Sequence, residues 1–130
     1  MTHHQRFLAY LRAYEAQDIA QVADMFADDV SLRDWKIHVT GKQAAIAETQ
    51  ANFAAARSIE IQPLHLHESA RSVAGELRIV VDGTVELFVV DVVDFDDAGR
   101  ITAIRAFIGR GDEAPTPSNP GRPTLPGLTA

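Results

Sequence analysis

Apolar side chains recur every three or four positions near the start of the chain, which is the spacing of an amphipathic helix. A second helix is predicted to begin at Asp18, which has the capping-box spacing to Gln21, and to end at Asp28-Asp29. A third helix covers 42–57, a stretch that is rich in Ala, Gln and Glu and contains no Gly or Pro. The side chains that share the apolar side of the first helix are Phe7, Tyr10, Leu11 and Tyr14.

Strands dominate the pattern after the third helix. Two of them are joined by Asp82-Gly83, a strong signal for a tight hairpin, and a longer turn is predicted at 96–99. The predicted strands are 30–34 and 37–39 before the third helix, then 59–67, 73–81, 84–95 and 101–108. This order predicts an α+β fold in which three N-terminal helices pack on one face of a curved, mostly antiparallel sheet.

Composition places the chain among small proteins with one folded domain. It has 130 residues with 46% apolar and 23% charged side chains, so we expect one domain over 1–111. Residues 112–130 are rich in Pro and Gly without periodicity and predict a flexible tail. The net charge of −6 argues against nucleic-acid binding, and no apolar run is long enough to cross a membrane. Cysteine is absent, and we expect a cytoplasmic protein.

The strand around Asp91 carries the most informative pattern. Side chains alternate between the two faces of a strand, and on one face Asp91 is the only polar residue among Val85, Leu87, Val89, Val93 and Phe95. A buried carboxylic acid without a partner has a raised pKa and becomes a hydrogen-bond donor, which stabilises a negative oxygen in a dry site. The alternatives, left open by the sequence, are an ion pair with an arginine such as Arg78 or Arg105, or a position at a subunit interface.

Two further residues are candidates for the same chemistry. Asp34 ends a short strand next to Trp35, where it either faces an apolar opening or is an ordinary turn residue. Tyr10 lies on the buried side of its helix, where a tyrosine is usually a core residue with its hydroxyl bonded.

Together these residues resemble those of the Δ5-3-ketosteroid isomerases, members of the NTF2-like/SnoaL-like superfamily. The resemblance runs from Tyr10 to about Gly109. It is carried by Asp18-Ile19, Met-Phe-Ala-Asp-Asp at 25–29, Arg33-Asp34, and the segment from Asp91 to Ile101, with Tyr10 standing eight residues before Asp18. It implies an NTF2-like cone around one apolar pocket.

The resemblance also implies a reaction and the residues that perform it. Asp34 would remove a proton next to a ketone and return it at another carbon, while Tyr10 and protonated Asp91 would donate hydrogen bonds to the dienolate oxygen. This use of one charged and one neutral acid is a known pattern for ketosteroid isomerase. No metal or organic cofactor is required.

The expected ligand is a small apolar molecule, such as a steroid-like ketone. The side chains expected to contact it are Trp35, Phe26, Leu87, Val89, Phe53, His38 and Phe107. The family resemblance further implies a homodimer through the open sheet face, and the largely apolar second face of the strand 84–95 is consistent with that.

Two other functions remain open from the sequence. A SnoaL-like polyketide cyclase would use Asp34 or His38 as its base, and a non-catalytic small-molecule binding module would have Asp91 in an ion pair. An Asp–Arg–Asp set would indicate epoxide hydrolysis, but the Tyr and Asn pair that should accompany such a set is not evident. His65 and His67 share a strand face but have no third ligand, so no metal site is predicted.

Overall fold

The structure is a computed structural model that describes residues 1–111, so the predicted flexible tail at 112–130 lies outside the described residues. No helix among those described is long and apolar enough to cross a membrane. The elements in chain order are α1 (His3–Glu15), α2 (Ile19–Met25), β1 (Phe26–Arg33), β2 (His38–Thr40), α3 (Lys42–Ala54), β3 (Ile59–Glu68), β4 (Ser72–Val81), β5 (Val85–Phe95) and β6 (Ile101–Arg110).

One six-stranded sheet, which does not close on itself, supports the three helices. Its strand order is β2-β1-β6-β5-β4-β3. The pair of β1 and β6 is parallel, and the other neighbouring pairs are antiparallel. Helix α1 contacts β3 and β4, while α3 contacts β1 and β2. The predicted α+β architecture, with helices on a mostly antiparallel sheet, is confirmed.

The hairpin between β4 and β5 forms where Asp82-Gly83 predicts it. Asp82 has φ 54° and Gly83 has φ 71°, and the N–H of Thr84 donates to the carbonyl of Val81 at 3.1 Å. Positive φ at both central residues defines the type I′ turn, whose twist matches that of the flanking strands. This turn sets the register of the strand that carries Asp91.

The boundary between α2 and β1 differs from the prediction. Helix α2 begins as expected, with the Asp18 carboxylate accepting from the N–H of Gln21 at 3.1 Å, but it ends at Met25. Phe26 is already in β1, where it pairs with Ile101 and is fully buried. An apolar residue at this position suits a helix and a strand equally, and pairing with β6 decides between them.

The third helix ends earlier than its composition predicts. The Gln17 side-chain amide donates to the carbonyls of Phe53 and Ala56 at 2.9 Å and 3.0 Å. The carboxylate of Asp82 accepts from the N–H of Arg57 at 2.6 Å. Because these long-range bonds use the backbone groups at the end of α3, they satisfy the end of the helix and turn the chain into β3.

Candidate active site

A cavity of about 360 Å³ lies between the helices and the inner face of the sheet. This volume is in the range of roughly 300–1,000 Å³ that is typical of small-molecule sites. Its walls come from α1, α3, the segment after β1, and strands β1 and β3–β6. Aliphatic side chains make up much of the wall, among them Leu11, Leu32, Ile59, Ile61, Ile79 and Ile104.

Asp91 lies on this cavity wall, in the middle of β5. Its strand neighbours are Gly75 on β4 and Ala106 on β6, so small residues flank the carboxyl group on both sides. Burial, together with the negative charge of Asp34, raises the pKa of Asp91 from 3.8 to about 7. Asp91 retains some accessible surface, which belongs to the cavity that it lines. A protonated Asp91 is therefore a hydrogen-bond donor facing the cavity.

The two arginines considered as partners for Asp91 bind other carboxylates. Arg78 pairs with Glu86 at 2.6 Å, and Arg105 forms a two-pronged contact with Asp94 at 2.8 Å and 3.0 Å. These residues lie on the opposite face of the sheet, since their positions alternate with that of Asp91. Within residues 1–111 no cationic side chain neutralises Asp91, and the ion-pair alternative does not hold.

Tyr10 brings a second neutral donor to the same space. It lies on α1, is 4% exposed, and lines the cavity. Burial raises the pKa of the Tyr10 phenol well above its ordinary value of 10.0, and the nearby Tyr14 and Asp91 add to the effect. The phenol is therefore uncharged at neutral pH. Asp91 is close enough to Tyr10 to affect the pKa of the phenol, which agrees with the two donors lying in one region of the cavity.

Asp34 follows β1 directly and also lines the cavity. Its Oδ1 accepts from the backbone N–H groups of Lys36 and Ile37 at 2.7 Å and 2.9 Å, and its own N–H donates to the carbonyl of Ile37 at 3.0 Å. Two backbone donors hold this carboxylate oxygen and fix its orientation. The carboxylate is thus both a turn residue and a cavity residue, two interpretations that the sequence treats as alternatives.

Three of the predicted ligand contacts lie on the cavity. Leu87 and Val89 share the inner face of β5 with Asp91, as the alternation along this strand predicts. Trp35 stands beside Asp34 at the opening, where it is 36% exposed.

The structure corrects the placement of the other four, because none is among the described residues that line the cavity. Phe26 is fully buried in the core beside Ile101. Phe53 packs edge to face on Tyr14, at 4.8 Å between ring centroids, and supports that ring from behind. His38 is exposed on β2. Phe107 pairs with Val90, so it points to the outer sheet face and is 57% exposed.

Sequence reasoning missed several polar residues of the cavity, among them Tyr14 and Asn52. The amide of Asn52, on α3, donates to the Tyr14 hydroxyl at 3.1 Å. Tyr14 follows Tyr10 by four residues, so one helical turn separates them and the spacing was a usable signal. Asn52 gave no such signal, since only tertiary packing brings α3 to α1.

This contact also supplies the Tyr and Asn pair that was not evident from the sequence. However, no arginine is among the described cavity residues, so an Asp–Arg–Asp set is not assembled there. Residues 1–111 also contain no group of three His, Cys, Asp or Glu residues placed to hold a metal ion.

The cavity and its acidic and phenolic groups can be compared with known proteins. The SnoaL-like domain family matches residues 7–104. The chain belongs to this family. It is also 32% identical over 113 residues to a steroid delta-isomerase of Nocardioides simplex, a match that covers 84% of this chain and 91% of that protein. The resemblance to the superfamily of ketosteroid isomerases is confirmed.

Solved structures of other SnoaL-like and NTF2-like proteins share the fold. An NTF2-like protein of unknown function from Cytophaga hutchinsonii has a TM-score of 0.70 at 11% identity, with 83% of this chain and 90% of that chain covered. The epoxide hydrolase/cyclase-like enzyme SalBIII, which has a role in pyran ring formation in the polyether salinomycin, has a TM-score of 0.74 at 22% identity. The match covers 85% of this chain and 92% of that chain. These similarities confirm the NTF2-like fold.

Proposed function

We propose that this SnoaL-like protein is an isomerase that moves a double bond in an apolar, steroid-like ketone by intramolecular proton transfer. The observation that carries the proposal is that one cavity holds two acids, Asp91 and Asp34, in different environments. Asp91 has no cationic partner among residues 1–111 and its pKa is raised to about 7, whereas Asp34 is held by two backbone donors. Asp91 is kept neutral as a donor and the Asp34 carboxylate is oriented as an acceptor, which is the pairing that enolisation of a ketone needs.

The reaction follows from these roles. The Asp34 carboxylate takes a proton from the carbon between the carbonyl and the double bond. The electrons of that C–H bond move into the carbonyl, giving a dienolate whose oxygen accepts hydrogen bonds from Tyr10 and protonated Asp91. Asp34 then returns the same proton to the far carbon of the dienolate, and the carbonyl re-forms in conjugation with the shifted double bond. Atoms and charge balance without a cofactor.

The lining of the cavity supports an apolar substrate. Leu87 and Val89 precede Asp91 on the same strand face, and aliphatic side chains from four other strands complete the wall. A dry wall strengthens the two hydrogen bonds to the dienolate oxygen, because no bulk water competes for it. The similarity to a steroid delta-isomerase supports the same class of substrate.

An assay on a Δ5-3-ketosteroid tests the proposal, with formation of the conjugated ketone followed by its absorbance. Asp34→Asn should lower kcat by about 10²–10⁴-fold, because the amide cannot accept the proton. Tyr10→Phe should lower it by about 10²-fold or more through loss of one donor. Asp96→Asn, in the turn between β5 and β6, is the matched control and should leave kcat unchanged.

Absence of turnover, or turnover insensitive to Asp34→Asn, would refute the isomerase. Activity on aromatic polyketide ketones without isomerisation of steroids would instead favour a polyketide cyclase with Asp34 as base. His38 is a weaker base candidate, since it is exposed on β2 with Nε2 at 3.4 Å from the Ser31 hydroxyl. A non-catalytic binding module would bind the ketosteroid without converting it.

A further inference from the structure

Tyr14 and Asn52 have no part in the proton transfer, although both line the same cavity as Asp91. The ring of Tyr14 packs at an angle of 60° to that of Tyr10, with 5.9 Å between centroids. Tyr10 is buried, Tyr14 is half-buried and Asn52 is exposed. Exposure therefore rises along this series, and the Tyr14–Asn52 contact lies nearer to solvent than Tyr10 does.

The hydrogen bond between these two residues leaves a donor available. A phenol has one O–H and accepts through its oxygen lone pairs. The Tyr14 oxygen accepts from Asn52, and within the described part of the chain its own proton has no acceptor at hydrogen-bond distance. Burial raises the pKa of Tyr14 to about 12, and the charges of Asp91 and Asp34 contribute while the bond from Asn52 opposes the rise. The hydroxyl thus keeps its proton at neutral pH.

The position of the Tyr14 hydroxyl is held by its neighbours. Phe53 packs edge to face against the ring on one side and Tyr10 on another, while Asn52 holds the oxygen. Ala55, Ala56 and Ile59 line the cavity near the end of α3 and offer no side-chain hydrogen bonds. A ligand oxygen that reaches this part of the wall can form hydrogen bonds with Tyr14 and Asn52, and the Glu48 carboxylate, one helical turn before Asn52, also lines the cavity.

We infer that Tyr14 and Asn52 form a second polar binding site, which holds a carbonyl or hydroxyl oxygen on the end of the ligand nearer to solvent. The preferred substrate is then an apolar ketone with a second oxygen on the ring remote from the reacting carbonyl. This inference rests on the proposed function, because it takes the reacting carbonyl to lie at Tyr10 and Asp91.

Two bicyclic ligands that differ in one oxygen test the inference. One is a fused bicyclic enone with a single carbonyl, and the other is the diketone of the same skeleton with a second carbonyl on the far ring. Binding is followed by the fluorescence of Trp35, the one tryptophan of the chain, which stands on the cavity wall. Wild-type protein should bind the diketone roughly threefold to tenfold more tightly, the effect of one added hydrogen bond.

Tyr14→Phe should abolish the preference for the diketone and leave the affinity for the single ketone within about twofold. Asn52→Ala should reduce the preference, and the double variant should behave like Tyr14→Phe. Tyr10→Phe is the matched substitution at the neighbouring tyrosine and should weaken both ligands by a similar factor. Circular dichroism of each variant shows whether the fold is retained.

Several outcomes would overturn the inference, and they separate it from the proposed function. If both ligands bind equally to the wild type and both weaken in Tyr10→Phe, the second site is wrong and the carbonyl site survives. If Tyr14→Phe weakens both ligands equally, Tyr14 acts by positioning Tyr10 and does not contact the ligand. If the preference for the diketone is lost in Tyr14→Phe while Tyr10→Phe affects neither ligand, the second site stands and the proposed oxyanion site fails. If neither ligand binds, both are refuted.

Discussion

Asp91 shows how a single side chain acquires a chemical role from its surroundings. Its sequence neighbours on the inner face of β5 are apolar, and Gly75 and Ala106 beside it offer no polar side chain. The charge that acts on it is the carboxylate of Asp34, which has the same sign. Desolvation and like charge therefore act together, and both favour the protonated acid.

The stability of the protein should report this protonation. The pKa of Asp91 is about 7 in the folded state and 3.8 as its ordinary value, so between these values the folded state binds more protons than the unfolded state. Its contribution to stability is complete below about pH 4 and is lost as the pH rises through about 7. Relative to Asp91→Asn, the wild type should lose roughly 2–3 kcal/mol in free energy of unfolding between about pH 5 and pH 8.

Urea unfolding of both proteins at the two pH values measures this difference, in which the other titrating groups cancel. A difference that does not change with pH would contradict the raised pKa. In the isomerase assay, kcat/KM of the wild type should fall as the pH rises above about 7, because ionised Asp91 no longer donates to the dienolate oxygen. Asp91→Asn should show lower activity without this fall.

The two tyrosines give a second test at the scale of residues. Tyr10 and Tyr14 are the only tyrosines of the chain, and burial raises the pKa of both above 10.0. Tyrosinate absorbance should therefore not appear near pH 10 while the protein is folded. Since the folded state favours the neutral phenols, the free energy of unfolding should fall as the pH rises beyond about 10. An absorbance step near pH 10 with unchanged circular dichroism would be the contrary result.

At the scale of elements, a few long-range side-chain bonds place the helices around the cavity. The Glu15 carboxylate of α1 accepts from the N–H of Ile61, and Arg12 donates to the Ile61 carbonyl, so α1 is bonded to the edge strand β3. Gln17, just after α1, bonds to carbonyls at the end of α3. These contacts set the distance between α1 and α3, and with it the meeting of Tyr14 and Asn52.

Gln17→Met tests the bond between these elements, because methionine keeps the shape of glutamine and removes its amide. The loss of two hydrogen bonds to backbone carbonyls should lower the free energy of unfolding by about 1–2 kcal/mol. Gln43→Met, at an exposed position of α3, is the matched control and should change it by less than about 0.5 kcal/mol. Equal effects of the two substitutions in urea unfolding would show that the Gln17 bonds contribute nothing specific.

At the scale of the whole molecule, the two faces of the sheet have different surroundings. The inner face packs on the helices and lines the cavity. The outer face carries an apolar strip of Phe88, Val90, Val92 and Phe107, of which Phe107 is the most exposed. The Arg78–Glu86 and Arg105–Asp94 pairs lie beside it. An exposed apolar strip bordered by ion pairs is typical of a protein interface, and we propose that it joins two copies of this chain.

Phe107→Lys should convert such a dimer to a monomer, because it places a charge in the apolar strip. Size-exclusion chromatography with light scattering measures the mass directly. Ala20→Lys, at an exposed position on α2, is the control and should leave the mass unchanged. A wild-type protein that elutes as a monomer would refute the dimer.

The order and type of the elements follow from the sequence because they depend on local patterns. Helix spacing, the Asp18 cap, the Asp82-Gly83 turn and the alternation along β5 each involve residues close in the chain. They also indicated Tyr10, Asp34 and Asp91 as candidates, and the placement of Leu87 and Val89 on the inner face with Asp91. The predicted end of the second helix was wrong because the local pattern is ambiguous there. Phe26 suits a helix and a strand equally, and only pairing with β6 decides its place.

The arrangement of the cavity was decided by tertiary structure. Whether Asp91 has a cationic partner depends on the sheet face on which Arg78 and Arg105 lie. The register of β4, β5 and β6 places both arginines on the face opposite to Asp91. Asn52 meets Tyr14 across 38 positions of sequence, which no local periodicity encodes. A sequence specifies the chemistry of its side chains and the face each presents, but only the packing of distant elements determines which of them share an enclosed space.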